Sequence, residues 1–285
     1  MQTRKLGRHD LELSVLGFGG IVVAGRDQPD ADAEVARAFD RGINYFDVAP
    51  QYGDAQQILG PALRPYRDQV TLACKTLERT AAKAAAELDD SLAKLKTDHF
   101  DIYQLHSMTT VEDFETAMGP GGVFETVLKA REQGKIRYVG FSAHNQDIAV
   151  RLIETDQFDT MLVPLNYVVW THGKFGPKML EAANQRGMGV MALKAMARAK
   201  IQEGEDRSYK KCWYHPEDRP EVAGLLLRYT LNLPGVAAAI PPGDPSLFHL
   251  ACDQIEQHGS APLTDDEMQT LAAELADAPP IFASA

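Results

Sequence analysis

The chain has 285 residues, of which 45% are hydrophobic, and this is enough apolar material for one large domain with a sizeable core. Asp and Glu number 40 against 29 Lys and Arg, so the formal net charge is −11, and no basic cluster interrupts the chain. This balance argues against nucleic acid or an anionic membrane as a partner, although a small anionic ligand remains compatible with local donors.

The N-terminus, Met1–Asp10, is polar and has no apolar core of signal-peptide length, and no apolar run of transmembrane length occurs in the chain. The three cysteines, Cys74, Cys212 and Cys252, are widely spaced and contain no CxxC pair. This pattern is typical of a reducing compartment and argues against a disulfide framework. We therefore expect a soluble, cytoplasmic protein.

Strand and helix patterns alternate along the chain, after a polar-turned hairpin over residues 4–14. Buried or alternating apolar runs predict strands at 15–20, 44–49, 70–75, 100–105, 138–142, 160–165, 190–193 and 236–240. Helical spacing predicts helices at 31–41, 55–63, 80–95, 123–133, 147–154, 177–186, 221–230 and 246–258. Thr80 is the predicted N-cap of one of them, and a capping box at Thr264 opens a final helix to Ala276. The charged stretch 199–219 is predicted to be an irregular excursion.

Strict alternation of strand and helix implies parallel strands, and eight units at this length favour a closed barrel over an open sheet. The predicted fold class is therefore an α/β (β/α)8 TIM barrel with an N-terminal β-hairpin and an extra C-terminal helix. No shift of composition marks a boundary, so residues 1–285 are predicted to form a single domain. The segment 17–20 lacks the third glycine of a dinucleotide fingerprint, which argues against a Rossmann domain.

Polar side chains follow successive strands of the predicted barrel, and in such barrels these strand ends share the catalytic face. Asp47 and Tyr52 follow the second strand, Lys75 ends the third, His106 ends the fourth and Ser142 ends the fifth. Singly, Asp47 could cap a helix and Tyr52 could anchor a loop. The structural alternative for the set is an Asp–Lys ion pair beside a capped histidine. Their convergence from neighbouring strands favours a catalytic site.

The chemistry that this set permits is proton transfer to or from an oxygen atom. A free tyrosine has a pKa near ~10, and an adjacent Lys⁺ favours its phenolate. At ~4 Å and an effective dielectric of about 20 that contact is worth roughly 4 kcal/mol, which brings a downward shift of about two pKa units within reach. Asp47 would keep Lys75 charged. His106 would donate to the same substrate oxygen as Tyr52, giving a two-donor oxyanion site.

With these residues in place, the sequence resembles the aldo-keto reductase superfamily over nearly its whole length. The resemblance is carried by the segments at 5–7, 16–20, 47–53, 75–76, 105–107, 134–142 and 235–242. It implies a (β/α)8 barrel that uses NADP(H), and sometimes NAD(H), to reduce aldehydes and ketones or to run the reverse oxidation. A small-molecule carbonyl compound is the substrate class that it implies.

The resemblance also implies roles for individual residues. Tyr52 would be the general acid, Lys75 its activator, Asp47 the partner of the lysine and His106 the orienting donor. Ser142 would bond the nicotinamide carboxamide. No metal is implied. The full set of implied cofactor contacts is Gly19, Gly20, Ile21, Asp47, Ser142, Asn166, Leu193, Lys194, Met196, Gly243, His249 and Asp253.

Some positions depart from the family pattern around the nicotinamide. Ala143 stands where the family often has Asn, and an apolar residue near Leu162 aligns with the usual glutamine, which leaves Asn166 as a polar candidate. Leu193 takes the place of the aromatic residue that commonly stacks on the ring.

At the adenosine end the loop 240–246 offers the carboxylate of Asp244, and His249 falls where an arginine often sits. Histidine is only partly charged near neutral pH, so we predict relaxed cofactor choice that includes NADH.

Other interpretations of the same residues belong to different classes of protein. The second interpretation is a non-catalytic, nicotinamide-nucleotide-binding regulatory subunit, because some relatives are channel accessory subunits; an intact proton-transfer set argues against it. The third is a metal-dependent barrel hydrolase that uses Asp47, His106 and His144, and it predicts sensitivity to chelators. The substrate pocket is predicted from apolar loops at 21–23 and 107–108, from Trp170, from the 199–219 excursion and from the C-terminal tail.

Overall fold

The computed structural model describes residues 1–284, and its centre is a barrel of eight parallel strands. We number these barrel strands 1 to 8 in chain order: Phe18–Gly19, Tyr45–Asp47, Thr71–Thr76, Phe100–Met108, Ile136–Ala143, Thr160–Pro164, Gly189–Leu193 and Val236–Ile240. Each strand pairs in parallel with the next one along the chain. The ring closes where Gly17 N–H donates to the Ala239 carbonyl at 2.9 Å and Ala239 N–H donates to Val15 at 2.9 Å. The predicted (β/α)8 barrel is confirmed.

Helices cover the outside of the barrel and lie between successive strands. The α-helices are Gln28–Asp40, Ala55–Leu63, Ala81–Leu95, Val111–Met118, Val123–Glu132, Gln146–Glu154, Tyr167–Thr171, Pro177–Gln185, Pro220–Leu231, Pro245–His258 and Asp265–Glu274. Short 3₁₀ turns cover Gly20–Val23 and Arg67–Gln69. Among the helices of residues 1–284, none is long and apolar enough to cross a membrane.

Helix capping explains where the predicted helix boundaries agree with the structure and where they differ. The final helix begins at Asp265 with the predicted capping box of Thr264 and Glu267. Thr80 takes the N-cap position of its helix, but its hydroxyl makes no capping bond. The helix over Val111–Met118 was not predicted, although Thr110 and Asp113 form a capping box at its start.

Barrel strand 4 extends beyond its predicted end, and this changes the setting of His106. The strand continues to Met108, so His106 lies within it rather than after it. The pairing register with strand 5 shifts between Leu105 and Met108, and Ser107 adopts a positive φ of 56°. Alternating side-chain direction still places Gln104 and His106 on one face of the strand.

The N-terminal hairpin closes one end of the barrel, as predicted. Thr3–Lys5 pairs antiparallel with Glu12–Ser14, and the hairpin turns Leu6 and Leu13 fully into the apolar interior of the barrel. A Cβ at Gly189, the first residue of strand 7, would lie 2.5 Å from Leu6 Cγ, so this glycine lets the leucine seal the barrel floor.

The segment 199–219 crosses the opposite end of the barrel and, as predicted, is irregular, with no helix or strand over residues 200–214. A two-stranded antiparallel ribbon, Ala197–Ala199 with His215–Pro216, forms its base. Lys211 Nζ donates to the Val22 carbonyl at 2.9 Å, which ties this segment to the exit of barrel strand 1. The segment therefore bridges from strand 7 to strand 1 over the strand ends.

Replacing Leu6 by alanine is expected to lower the free energy of unfolding by about 2–5 kcal/mol, because a fully buried side chain leaves a cavity that the barrel floor cannot close. Leu77→Ala, at a leucine that is 41% exposed, serves as the matched control and is expected to cost within about 0.5 kcal/mol. Chemical denaturation measures both; equal losses would show that the hairpin does not seal the barrel.

Candidate active site

A cavity of about 470 Å³ opens at the carboxyl ends of the barrel strands, beneath the 199–219 segment. This end of a parallel barrel is where side chains from different strands converge. The cavity is lined by Gly19, Ile21, Asp47, Gln51, Tyr52, Lys75, His106, Ser142, His144, Leu162, Leu193, Lys194, Lys200, Lys211, Trp213, Tyr214, Ile240, Pro241, Gly243, Ile281 and Phe282. The four residues proposed for proton transfer from sequence therefore share one cavity.

A buried ion pair forms the base of the cavity. Lys75 Nζ donates to Asp47 Oδ2, and both side chains are almost wholly buried. Gln104 Nε2 donates to the other Asp47 oxygen at 3.0 Å. Burial by itself lowers the pKa of Lys75, but the charge of Asp47, the charge that Tyr52 carries once it is a phenolate, and the hydrogen bond to Asp47 outweigh it, so the pKa lies above the ordinary value. Lys75 is therefore a fixed positive charge at neutral pH.

Tyr52 stands between this ion pair and His106. The Lys75 ammonium lies 5.5 Å from the centroid of the Tyr52 ring, and the His106 ring meets that ring edge-on at 6.3 Å. Burial raises the pKa of Tyr52 more than Lys75 lowers it, so the pKa lies above its ordinary value. The predicted downward shift is therefore wrong for this cavity. Tyr52 is a protonated phenol at neutral pH, which is the form that can give a proton.

His106 is an uncharged imidazole whose tautomer depends on Gln51. Burial and the positive charge of Lys75 lower the pKa of His106 to about 2. Its Nδ1 lies 3.1 Å from Gln51 Oε1, and Gln51 Nε2 reaches Glu87 Oε1 at 3.4 Å. With the amide in this orientation the ring proton is on Nδ1 and Nε2 is an acceptor. The opposite orientation of the amide would place the proton on Nε2.

Ser142 is positioned as a hydroxyl donor. The backbone N–H of Ser107 donates to Ser142 Oγ at 2.8 Å, so the serine hydroxyl keeps its own proton for a ligand. Nearby, Leu162 and Leu193 give the cavity an apolar wall at the positions where the family pattern has polar or aromatic groups.

Five of the predicted cofactor contacts lie outside the cavity lining, and two of these have structural tasks of their own. Asn166 caps the helix Tyr167–Thr171 by accepting from Val169 N–H at 3.0 Å, and it donates to the Lys194 carbonyl at 3.0 Å. Met196 is fully buried in the apolar core.

The other three lie beside barrel strand 1 or on the helix after strand 8. Gly20 begins the 3₁₀ turn after strand 1, where a Cβ would lie 2.8 Å from Val48. Asp253 pairs with Arg41 at 2.6 Å on the outer surface.

The helix Pro245–His258 places His249 at a groove separate from the cavity. Phe248 is a buried apolar position of this helix and meets Phe18 edge-on at 5.0 Å. His249 therefore faces outward, 2.9 Å from Glu34 and 3.2 Å from Arg37. These residues border a groove of about 410 Å³ that also includes Arg26 and Ser246.

The carboxylate of Asp244 caps its own helix by accepting from Ser246 N–H at 2.9 Å. This use of the carboxylate was not predicted from the sequence.

Several residues that line the cavity or bond to its lining were not singled out from the sequence. Alternation along barrel strand 4 could have identified Gln104, because it precedes His106 by two positions. Gln51 lies in the motif itself, but only the structure shows its contact with His106. Phe282 and Ile281 come from the C-terminal tail, which was predicted to join the pocket, although the sequence did not single out these two residues.

The residues present do not fit a metal centre. Within residues 1–284 no three His, Cys, Asp or Glu side chains group in a way that could hold a metal ion. The carboxylate of Asp47 is already bonded to Lys75 and Gln104. Asp47, His106 and His144, which the metal-dependent hydrolase interpretation uses, therefore do not form a set of metal ligands.

The donors of the cavity do fit an anionic dinucleotide. Four lysines line it, against one carboxylate, which is that of Asp47. At Gly243 a Cβ would lie 2.3 Å from Ile21 Cγ2, so glycine is needed for the loop after strand 8 to approach the exit of strand 1. Ser142, Lys211 and Gly243 are the residues that would hold such a cofactor.

Comparison with known proteins points to one family. A model described as the Aldo/keto reductase family matches residues 15–273. The aldo-keto reductase YhdN of Bacillus subtilis is 33% identical over 144 residues, 46% of this chain and 42% of that protein. The oxidoreductase YqkF of the same organism is 28% identical over 177 residues, 57% of this chain and 56% of that protein. The chain thus spans about half the length of these two relatives.

A longer match and a solved structure agree with this result. L-galactose dehydrogenase of Arabidopsis thaliana is 28% identical over 222 residues, 71% of this chain and 68% of that protein. The structure of aldo-keto reductase AKR11C1 from Bacillus halodurans superposes with a TM-score of 0.75 at 23% identity, over 99% of this chain and 98% of that one. The superposition shows a shared fold.

Substitution of Gln51 is expected to fix the tautomer of His106. A carboxylate in Gln51→Glu can only accept, so the ring proton is expected on Nδ1, whereas Gln51→Leu removes the partner and releases the ring to the equilibrium of a free imidazole. Nitrogen-15 NMR of the histidine rings at neutral pH measures this. Because the pKa of His106 is about 2, its ring is also expected to stay neutral as the pH falls to about 5. Identical nitrogen shifts in both variants would show that Gln51 does not set the tautomer.

Proposed function

The chain belongs to the aldo/keto reductase family, and we propose that it transfers a hydride between a nicotinamide cofactor, NADP(H) or NAD(H), and an aldehyde or ketone. The observation that carries the proposal is the contact of a buried Lys75–Asp47 pair with a protonated Tyr52 at the mouth of the barrel. A site that only binds nucleotides has no need of a phenol beside a fixed charge.

In the reducing direction each side chain has a distinct task. The bound cofactor would supply the hydride that reaches the carbonyl carbon. The carbonyl oxygen takes the phenolic proton of Tyr52, which leaves a phenolate. Lys75 stabilises that phenolate, because its ammonium lies over the ring at 5.5 Å from the centroid. In the oxidising direction the phenolate takes the proton from an alcohol.

Asp47 and His106 act on this transfer without exchanging the proton themselves. Asp47 keeps Lys75 charged in a site where burial would otherwise favour the neutral amine. His106 is neutral, so it orients the substrate oxygen by hydrogen bonding and does not compete with Tyr52 as an acid. Donation from Nε2 to a carbonyl oxygen requires the proton on Nε2, and therefore the opposite orientation of the Gln51 amide, in which its NH2 group faces Nδ1.

Apolar side chains complete the site. Leu193, Ile281 and Phe282 line the same cavity, and Trp213, which is 59% exposed, stands at its rim. These walls exclude water from the reacting groups and strengthen the electrostatic contacts between them. They also suit a substrate with an aromatic or aliphatic body.

Tyr52→Phe is expected to lower kcat for reduction of an aromatic aldehyde by about 10²–10⁴-fold, because it removes the proton donor. Nicotinamide absorbance measures the rate, and Tyr66→Phe, outside the cavity and stacked on Phe39, is the matched control. Because the pKa of Tyr52 is raised, wild-type kcat is expected to be level from about pH 6 to about pH 9 and to fall only as the pH rises through that pKa.

The possible outcomes of this experiment separate the mechanism from the activity. Full activity in Tyr52→Phe would remove the assigned acid even if carbonyl reduction were seen. No turnover by the wild type across a panel of aldehydes and ketones would favour a binding module instead.

Cofactor choice depends on the groove around His249. A 2′-phosphate there would meet the guanidinium groups of Arg26 and Arg37, but also the carboxylate of Glu34. Glu34 lies 3.0 Å from Arg26 and 2.9 Å from His249, so it offsets the positive charge that would select the phosphate. We therefore propose that both NADPH and NADH are used.

The dissociation constants of NADPH and NADH are expected to differ by less than about tenfold, which corresponds to about 1.4 kcal/mol. Quenching of protein fluorescence measures both constants. Glu34→Gln removes the opposing charge and is expected to shift the ratio toward NADPH. A wild-type preference for NADPH of about 100-fold or more would contradict the proposed balance of charges.

A further inference from the structure

A second basic cluster faces the cavity from the ends of barrel strands 5 and 7. Lys194 Nζ donates to His144 Nε2 at 3.4 Å, and the other ring nitrogen of His144 lies 3.1 Å from Ser107 Oγ. Phe282 stacks on the His144 ring at 4.9 Å, and the Lys194 ammonium lies 5.4 Å from the Phe282 ring centroid. The cluster is thus fixed by hydrogen bonds on one side and by an aromatic ring on the other.

Lys194 lacks the acidic partner that a buried lysine ordinarily has. Among residues 1–284 no Asp or Glu pairs with it, and burial alone lowers its pKa to about 8. It is still mostly charged at neutral pH. A buried charge without a counter-ion is unfavourable, and a bound anion would relieve that cost. His144, whose pKa is lowered to about 3, is neutral and supplies no countercharge.

The resemblance implies that Lys194 contacts the cofactor, but its hydrogen-bond partners differ in place from those of Lys211, the lysine assigned above to the cofactor. Lys211 bonds to Val22 at the exit of barrel strand 1, on the side of Gly243. The Lys194 cluster instead reaches Ser107, which directly follows His106 in strand 4. An anion held by Lys194 would therefore lie beside the carbonyl group that His106 and Tyr52 bind.

We propose that Lys194, held by His144 and Ser107, binds a carboxylate on the substrate. The preferred substrates are then aldehydes or ketones that carry a carboxylate near the carbonyl group, on an apolar or aromatic body that packs against Phe282 and Leu193. This inference rests on the proposed carbonyl reduction and gives its substrate class. The one carboxylate of the cavity lining, Asp47, is bonded to Lys75 and leaves Lys194 free for the substrate.

The test compares 2-, 3- and 4-carboxybenzaldehyde with their uncharged methyl esters. For the wild type, kcat/KM for at least one acid is expected to exceed that for its ester by about tenfold or more, the factor that a charge-assisted hydrogen bond supplies. Lys194→Met is expected to bring that ratio close to one, and Lys194→Arg, which keeps the charge, to retain part of it.

The outcomes separate this inference from the proposed function. If the esters are reduced in a Tyr52-dependent reaction but no acid is preferred, the inference is wrong and the reductase activity stands. If Lys194→Met weakens NADPH binding and leaves the acid-to-ester ratio unchanged, Lys194 belongs to the cofactor site and the inference is also wrong.

A measurement without turnover completes the design. Benzoate, and not benzamide, is expected to raise the melting temperature of the wild type, and neither is expected to raise that of Lys194→Met. This readout holds even if no aldehyde is reduced. Equal stabilisation of wild type and variant by benzoate would overturn the assignment of Lys194.

Discussion

The buried pair of Lys75 and Asp47 governs the chemistry of this protein. A single buried ammonium would lose its proton to escape desolvation, and a single buried carboxylate would gain one. Together, with Gln104 satisfying the second Asp47 oxygen, they keep Lys75 charged inside the barrel. Such pairs add little net stability, because desolvation offsets most of their attraction. The function of the pair is to set the charge that its neighbours experience.

That charge acts differently on the two groups beside it. At His106 it adds to burial and keeps the imidazole neutral. At Tyr52 the lysine charge lowers the pKa while burial raises it by more. The phenol therefore stays protonated, yet it lies beside a cation that stabilises the phenolate. In the proposed mechanism, one lysine thereby separates the roles of two side chains, an acid and a hydrogen-bonding group. A second lysine, Lys194, lies in the same cavity, and no Asp or Glu of residues 1–284 pairs with it.

The cavity is locally basic although the chain carries a net charge of −11. Four lysines line the cavity against a single carboxylate, that of Asp47. Charges more than a Debye length away, about 8–10 Å at physiological salt, are largely screened at the surface. The net negative charge of the chain is therefore compatible with a small anion in the cavity. Local placement, not composition, decides which ligands this end of the barrel attracts.

Part of the candidate site could be predicted because it follows from strand periodicity. Side chains that follow neighbouring parallel strands must meet at one end of the barrel, and this places Asp47, Lys75 and His106 together. The cofactor contacts assigned by resemblance were less reliable, since they depend on helix register. Phe248 is turned into the core, so its neighbour His249 faces away from it. His249 and Asp253 both lie outside the cavity. A shift of one residue turns a helical side chain by about 100°, which composition cannot reveal.

The sequence by itself determined the parallel barrel, the hairpin at its floor and the convergence of the proton-transfer residues, because these depend on period and order along the chain. The tertiary structure alone decided the protonation states and the partners of each group. It placed Gln51 beside His106 and the Phe282 ring on His144. It also placed Lys194 where no Asp or Glu of residues 1–284 pairs with it. A pKa depends on burial and on charges that are distant in sequence. At Tyr52 burial raises the pKa and Lys75 lowers it, and which effect is larger depends on the positions of both in the folded structure.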